Sequence, residues 1–299
     1  MLIALLLTAM VLAVLVYATA LARVVLAQRV RPNLEAIGHG AEVNFFDTLG
    51  IGSFAPTTAW LKIRRLVPDR LIPPTMVVGL TPPAMAESFI FMNFYAVVVD
   101  PLLLAGAALA MFAGGVLGAP LVAHARVWIV QIIVAIGLAL AAAAYAMSNL
   151  GWFPAGGTAA GLPLGLTLVA IAASFGFGIV ANFGVGNYAP TMAMLSLMGM
   201  DPHLCFPIMA AGACLMGAGA SVRHIAIGEV DLRIVLGLAI GGIPAVLVAA
   251  FIVKEMPIDI LRWLVFVVVV YASAVMFRAA AIGRRSEKVG TTVSPVALS

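Results

Sequence analysis

Charge is what this sequence has least of. Among 299 residues only 9% are Asp, Glu, Lys or Arg, while 64% are apolar. A water-soluble domain carries about 25% charged residues. So few cannot cover a solvent-facing surface, which excludes a soluble enzyme or binding module. Cysteine is nearly absent as well. Cys205 and Cys214 fall in one expected helix, where they make neither a disulfide framework nor a metal pair. The N-terminal run lacks a basic leader and stays apolar to Ala27, past the short apolar core of a signal peptide, so it reads as a retained span. No Walker-type phosphate loop is present, so ATP drive would need another subunit. Nothing calls for a cofactor or a metal. The net charge of +4 comes largely from basic residues at the ends of apolar runs, a topology signal rather than a nucleic-acid footprint.

What is present is a series of long apolar runs with short polar breaks. A membrane span needs about 20 apolar residues, and the pattern predicts an all-α polytopic membrane protein. Full spans are expected near 3–27, 71–98, 102–124, 127–148, 204–225, 231–253 and 260–281. Two segments fit less simply. Residues 38–66 are broken by "GIGSFAP", and 162–200 by "GVGNYAP".

Lys and Arg cluster after the first span, before the second, and then in alternate loops and the tail. All these clusters fall on one face if 38–66 and 162–200 each enter and leave by the same side. Lys254 and Arg262 are the exceptions, beside Glu255 and Asp259. Charge thus favours two re-entrant hairpins, an N-terminus outside and a cytoplasmic C-terminus. Each hairpin is followed by three spans. The expected division is an extra N-terminal span (1–30), a first repeat (34–149), an external loop (150–161), a second repeat (162–282) inverted relative to the first, and a tail (283–299).

The two broken segments are copies. A shift of 134 positions carries Gly50 onto Gly184, Gly52 onto Gly186, Pro56 onto Pro190 and Thr57 onto Thr191. The register continues to Pro68/Pro202 and Pro73/Pro207 without a gap, which marks internal duplication. Inverted repeats with interrupted helices are typical of secondary transporters, whose sites lie near the midplane where the repeats meet.

The motif has its own chemistry. Gly50, Gly52, Gly184 and Gly186 permit tight backbone and close approach of a ligand. Ser53 and Asn187 are residue types suited to N-caps, and each following proline falls in a first helical turn. Half-helices are expected over 54–65 and 188–199, with their positive ends inside the membrane. Such ends bind anions without a fixed cation. Phe54 and Tyr188 would wall the site. Ser53, Asn187, Thr57, Thr191 and the Tyr188 hydroxyl could donate to an oxyanion. Gly212, Gly217 and Gly219 read instead as small residues for close helix contact.

Glu87 lies deep in a span, after the helix-disturbing "TPP" at 81–83. An ionisable group at that depth is by default functional, here as a carrier of a coupling proton; a structural partner for freed backbone groups is the competing reading. Its counterpart in the repeat is Ser221, so the halves differ chemically. Asp47, three residues before Gly50, is a second proton-coupling candidate. His39 and the pair Arg223–His224 read as interfacial residues, and Asp100–Pro101 and Asp201–Pro202 as helix starts.

At the duplicated motif the chain resembles the TauE/SafE family of sulfite and organosulfonate exporters (TSUP, DUF81). Its members carry a "GIGGG" segment followed by a proline in each half of a duplicated bundle. Gly50-Ile51-Gly52 and Gly184-Val185-Gly186 match the start of that segment. Ser53-Phe54 and Asn187-Tyr188 replace the later glycines. The resemblance implies a non-enzymatic, proton-coupled exporter in a prokaryotic inner membrane. Its cargo would be a small anion: sulfite, a sulfonate or a carboxylate. Its partners are that anion, protons and the bilayer, with the first span available for homodimer contacts. An anion channel is the alternative, since half-helix dipoles also build pores. An intramembrane hydrolase using Ser53 or Ser221 with His203 or His224 is remote, because such an enzyme has no use for a duplicated motif.

Overall fold

The structure is a computed structural model that describes residues 2–49, 53–68, 71–96, 98–118, 127–150, 157–181, 187–228 and 230–292. The regular elements among them are eleven helices. They are α1 (Leu2–Gln28), α2 (Leu34–Thr48), α3 (Phe54–Arg64), α4 (Ile72–Tyr95), α5 (Pro101–Gly118), α6 (Val127–Asn149), α7 (Leu164–Ala181), α8 (Tyr188–Leu197), α9 (Pro202–Ile227), α10 (Leu232–Glu255) and α11 (Ile258–Thr292). The expected extension of the third span to residue 124 falls outside the described residues.

Seven helices are long and apolar enough to cross a membrane: α1, α4, α5, α7, α9, α10, and α11 over Ile258–Arg285. In α6 the described apolar stretch is shorter, Gln131–Ala143. One member of the seven differs from the sequence expectation. With 18 residues and high hydropathy, α7 reaches about 27 Å, long enough for a span, whereas the charge pattern treats it as one arm of a hairpin. Its counterpart α2 is shorter and more polar, with Glu35, His39, Glu42 and Asp47 along it.

Contacts between helices follow the 134-residue shift of the sequence. α2 packs along α10, and α7 packs along α5, two pairs that the shift relates. α4 packs on α9 and α6 on α11, each on its own counterpart. Glycine makes the arm contacts close. A methyl group at Gly241 of α10 would overlap the carbonyl oxygen of Ile37 in α2, and one at Gly178 of α7 would overlap that of Met111 in α5. Van der Waals contact of this kind replaces the hydrophobic drive that lipid does not supply.

The half-helices are enclosed unequally. α8 lies against α6, α7, α9 and α11, and most of its residues are buried. The main contacts of α3 are with α4 and α2, and its second half, from Lys62 to Arg64, is exposed. Near that end Glu35 of α2 accepts from the Arg64 guanidinium at 2.7 and 3.0 Å and from the Trp60 indole at 3.1 Å. The Trp60 ring stacks on His39 at 4.2 Å.

α4 runs unbroken through Pro82 and Pro83. A proline has no N–H, so Pro82 leaves the carbonyl four residues earlier, Val78, without its helical donor. The Tyr17 hydroxyl of α1 donates to that oxygen at 2.7 Å. α1 therefore closes a gap in α4 besides packing on α9 and α5. Nearby, Thr81 Oγ1 donates to Val77 O at 2.7 Å and lies 3.0 Å from Ser221 Oγ.

Tyr17→Phe leaves Val78 O buried and unpaired. We expect it to cost about 1–3 kcal/mol, read as a lowered Tm of the protein in detergent; an unchanged Tm would show that the bond carries nothing. Gly241→Ala forces α2 away from α10 and is expected to cost about 1–3 kcal/mol, checked in the same melting experiment with Gly38→Ala, which meets open space, as the control.

Candidate functional site

The two half-helices begin at matched residues of the duplicated motif and in matched geometry. Ser53 has φ −92° and ψ −23°, and Asn187 has φ −81° and ψ −19°. One turn on, Thr57 N–H donates to Ser53 O at 3.2 Å and Thr191 N–H to Asn187 O at 3.1 Å.

Here the structure corrects the expected capping. Ser53 and Asn187 hold the N-cap positions, but neither side chain caps its helix. The reason is backbone conformation. A capping side chain reaches back to the first-turn amides from extended φ/ψ, and both residues are already helical. Asn33, Asp201 and Asp231 show the contrast: all three are extended, with ψ from 100° to 126°, and all three cap.

The freed side chains go to different places in the two halves. Ser53 turns to Asp47 at the end of α2: its N–H donates to Asp47 Oδ1 at 3.0 Å and its hydroxyl to Oδ2 at 2.9 Å. Asn187 points into the bundle, where its Nδ2 donates to Met209 O of α9 at 3.2 Å and lies 3.2 Å from Met111 Sδ of α5.

Between these two helix starts lies Glu87 of α4, only 1% exposed. Its carboxyl interacts electrostatically with Asp47 and with Tyr188, the first residue of α8. Cys214 of α9 in turn adjoins Tyr188 and Ser88. One buried cluster therefore joins both motifs: Asp47 and Ser53 from the first, Tyr188 from the second, with Glu87, Ser88 and Cys214 between. Tyr188 and Glu87 are neighbours, yet the hydroxyl of one and Oε1 of the other have no partner of hydrogen-bond geometry. The same holds for Ser88 Oγ, Thr57 Oγ1 and Thr191 Oγ1. A buried polar group left unpaired costs about 1–3 kcal/mol, so native folds keep few of them and each calls for an explanation. Three of the five, on Thr57, Tyr188 and Thr191, lie at or one turn from the two helix starts, and the other two, on Glu87 and Ser88, lie within α4.

Other expected site residues fall elsewhere. Phe54 packs with Val43, Leu61, Met76 and Leu80, whereas Tyr188 packs with Phe91, Met192 and Phe206, so the two rings belong to separate apolar clusters and do not wall one pocket. Gly50, Gly52, Gly184 and Gly186 lie outside the described residues. A surface concavity of about 570 Å³ lined by Lys62, Arg65, Leu66, Val67 and Pro68 opens at the far end of α3 and contains none of the cluster. Ser88 and Cys214 escaped the sequence reading. Ser88 directly follows Glu87 on α4, and that adjacency was the available signal. The serines considered for hydrolysis have other partners. Ser53 is bonded to Asp47 and Ser221 to Thr81, while His203 contacts Asp201 and the Met256 carbonyl.

No curated protein and no solved structure matches the chain. Residues 166–299, which carry the second copy of the motif and all of α8 to α11, match the family model for sulfite exporter TauE/SafE.

Proposed function

We propose that the protein is a secondary active exporter of a small oxyanion, with the anion held between the starts of α3 and α8 and a proton carried by Glu87. The observation that carries this reading is the set of unpartnered buried hydroxyls, Thr57, Thr191 and Tyr188, beside two helix ends that their own cap residues do not close. Hydroxyl groups and helix-start amides donate, and an oxyanion accepts. Sulfite, a sulfonate and a carboxylate all present that face.

Glu87 supplies the coupling. A charged carboxylate next to Tyr188 would repel an incoming anion in a low-dielectric site. The anion is therefore bound with Glu87 neutral, and linkage makes anion and proton binding mutually favourable. Asp47 adds a second negative group to the same neighbourhood, which strengthens the requirement. The duplicated half-helices give this site two symmetry-related approaches, as in transporters built from inverted repeats. The clustering of Lys and Arg supports an arrangement in which α2–α3 enters from the cytoplasm and α7–α8 from outside.

Purified protein in proteoliposomes tests the proposal, with sulfite, methanesulfonate and acetate offered with and without a pH gradient. Saturable flux that follows the gradient and falls at least tenfold in Glu87→Gln is expected. Fast, gradient-independent conductance would replace the transporter by a channel, and folded protein that moves none of the anions would overturn the reading. Tyr188→Phe removes one donor to a charged guest. It is expected to weaken the apparent affinity about tenfold or more and to reorder preference among the three anions; an identical order and affinity would remove Tyr188 from the site.

A further inference from the structure

The two helix starts are built alike but furnished differently, and that difference assigns them separate roles. We propose that Asp47 is a built-in carboxylate that fills the start of α3, leaving the start of α8 as the single place where a transported oxyanion exchanges. The inference rests on the transport reading given above and divides its site.

Both oxygens of Asp47 are engaged at the α3 start, one by the Ser53 N–H at 3.0 Å and one by the Ser53 hydroxyl at 2.9 Å. A carboxylate accepting from an amide at a helix start is the arrangement by which free anions bind there. Asp47 is delivered to it by the end of α2. A tethered group competes at high effective concentration against a ligand that must come from solution. The α3 start thus already holds an anion that belongs to the protein.

The second motif lacks that group. The residue six positions before Asn187, matching Asp47 before Ser53, is Ala181, the last residue of α7. A second, independent observation points to a guest at this end. Thr191, on the first turn of α8, is fully buried and its hydroxyl lacks a partner, while the Tyr188 hydroxyl, 6% exposed on the same turn, lies beside the Glu87 carboxyl. Asn187, which could have closed the helix, is drawn away to Met209 O and Met111 Sδ. At the first motif Asp47 occupies the Ser53 N–H and hydroxyl, so its removal would free both beside Thr57 Oγ1, which has no partner, and give a second set of donors.

Equilibrium binding of radiolabelled sulfite to the full-length protein in detergent tests this, alongside flux in proteoliposomes. Wild type is expected to bind one sulfite per chain, and Asp47→Ala two. Ala181→Asp is expected to lose binding at least tenfold, while Ala181→Asn, of similar size but neutral, keeps it. If Asp47→Ala does not fold, the Ala181 pair decides by itself. A single site in folded Asp47→Ala, or sulfite binding unchanged in Ala181→Asp, overturns the division while wild-type flux leaves the transport reading standing. No sulfite binding and no flux in wild type overturns both.

Discussion

A helix that stops inside a bilayer exposes amides that lipid cannot satisfy, and the transport reading proposed for this protein turns on where such groups find partners. Lipid offers no hydrogen bonds, so irregular backbone at depth survives only against protein or a polar cavity. In the proposed arrangement the chain meets this condition by laying the helix before each half-helix along a long apolar helix. α2 lies on α10 and α7 on α5, at glycines that admit backbone to backbone.

Duplication supplies symmetry, and substitution then removes it. Glu87 has Ser221 as its counterpart, and Ser221 is absorbed in a contact with Thr81 between α4 and α9. Asp47 has Ala181. The acidic groups of the cluster therefore come from the first half, and the buried phenol from the second. The unequal enclosure of α3 and α8 runs parallel to this division, with the less confined helix on the acidic side.

Much of this was legible in the sequence, and the limits have physical causes. The helical class follows from composition. The starts of α3 and α8 follow from Gly, Ser or Asn, and Pro in fixed order, because those residues act through local backbone preference. The similarity to TauE/SafE was visible in the same residues. The direction of the Ser53 and Asn187 side chains was not, because capping depends on ψ, and ψ here is set by the turn as a whole. Asp47 could be singled out as a proton-coupling candidate, but its bond to Ser53 depends on how two helices meet. Phe54 and Tyr188 look equivalent in the repeat, yet they pack on different neighbours because α3 and α8 are not enclosed alike. Ser88 carries no pattern of its own.

The first helix stands outside the duplicated unit and might be taken for an ornament. Its Tyr17 hydroxyl, however, supplies the donor that Pro82 removed from α4. A chain made without α1 would lack that hydroxyl, and a buried carbonyl left unpaired costs about 1–3 kcal/mol.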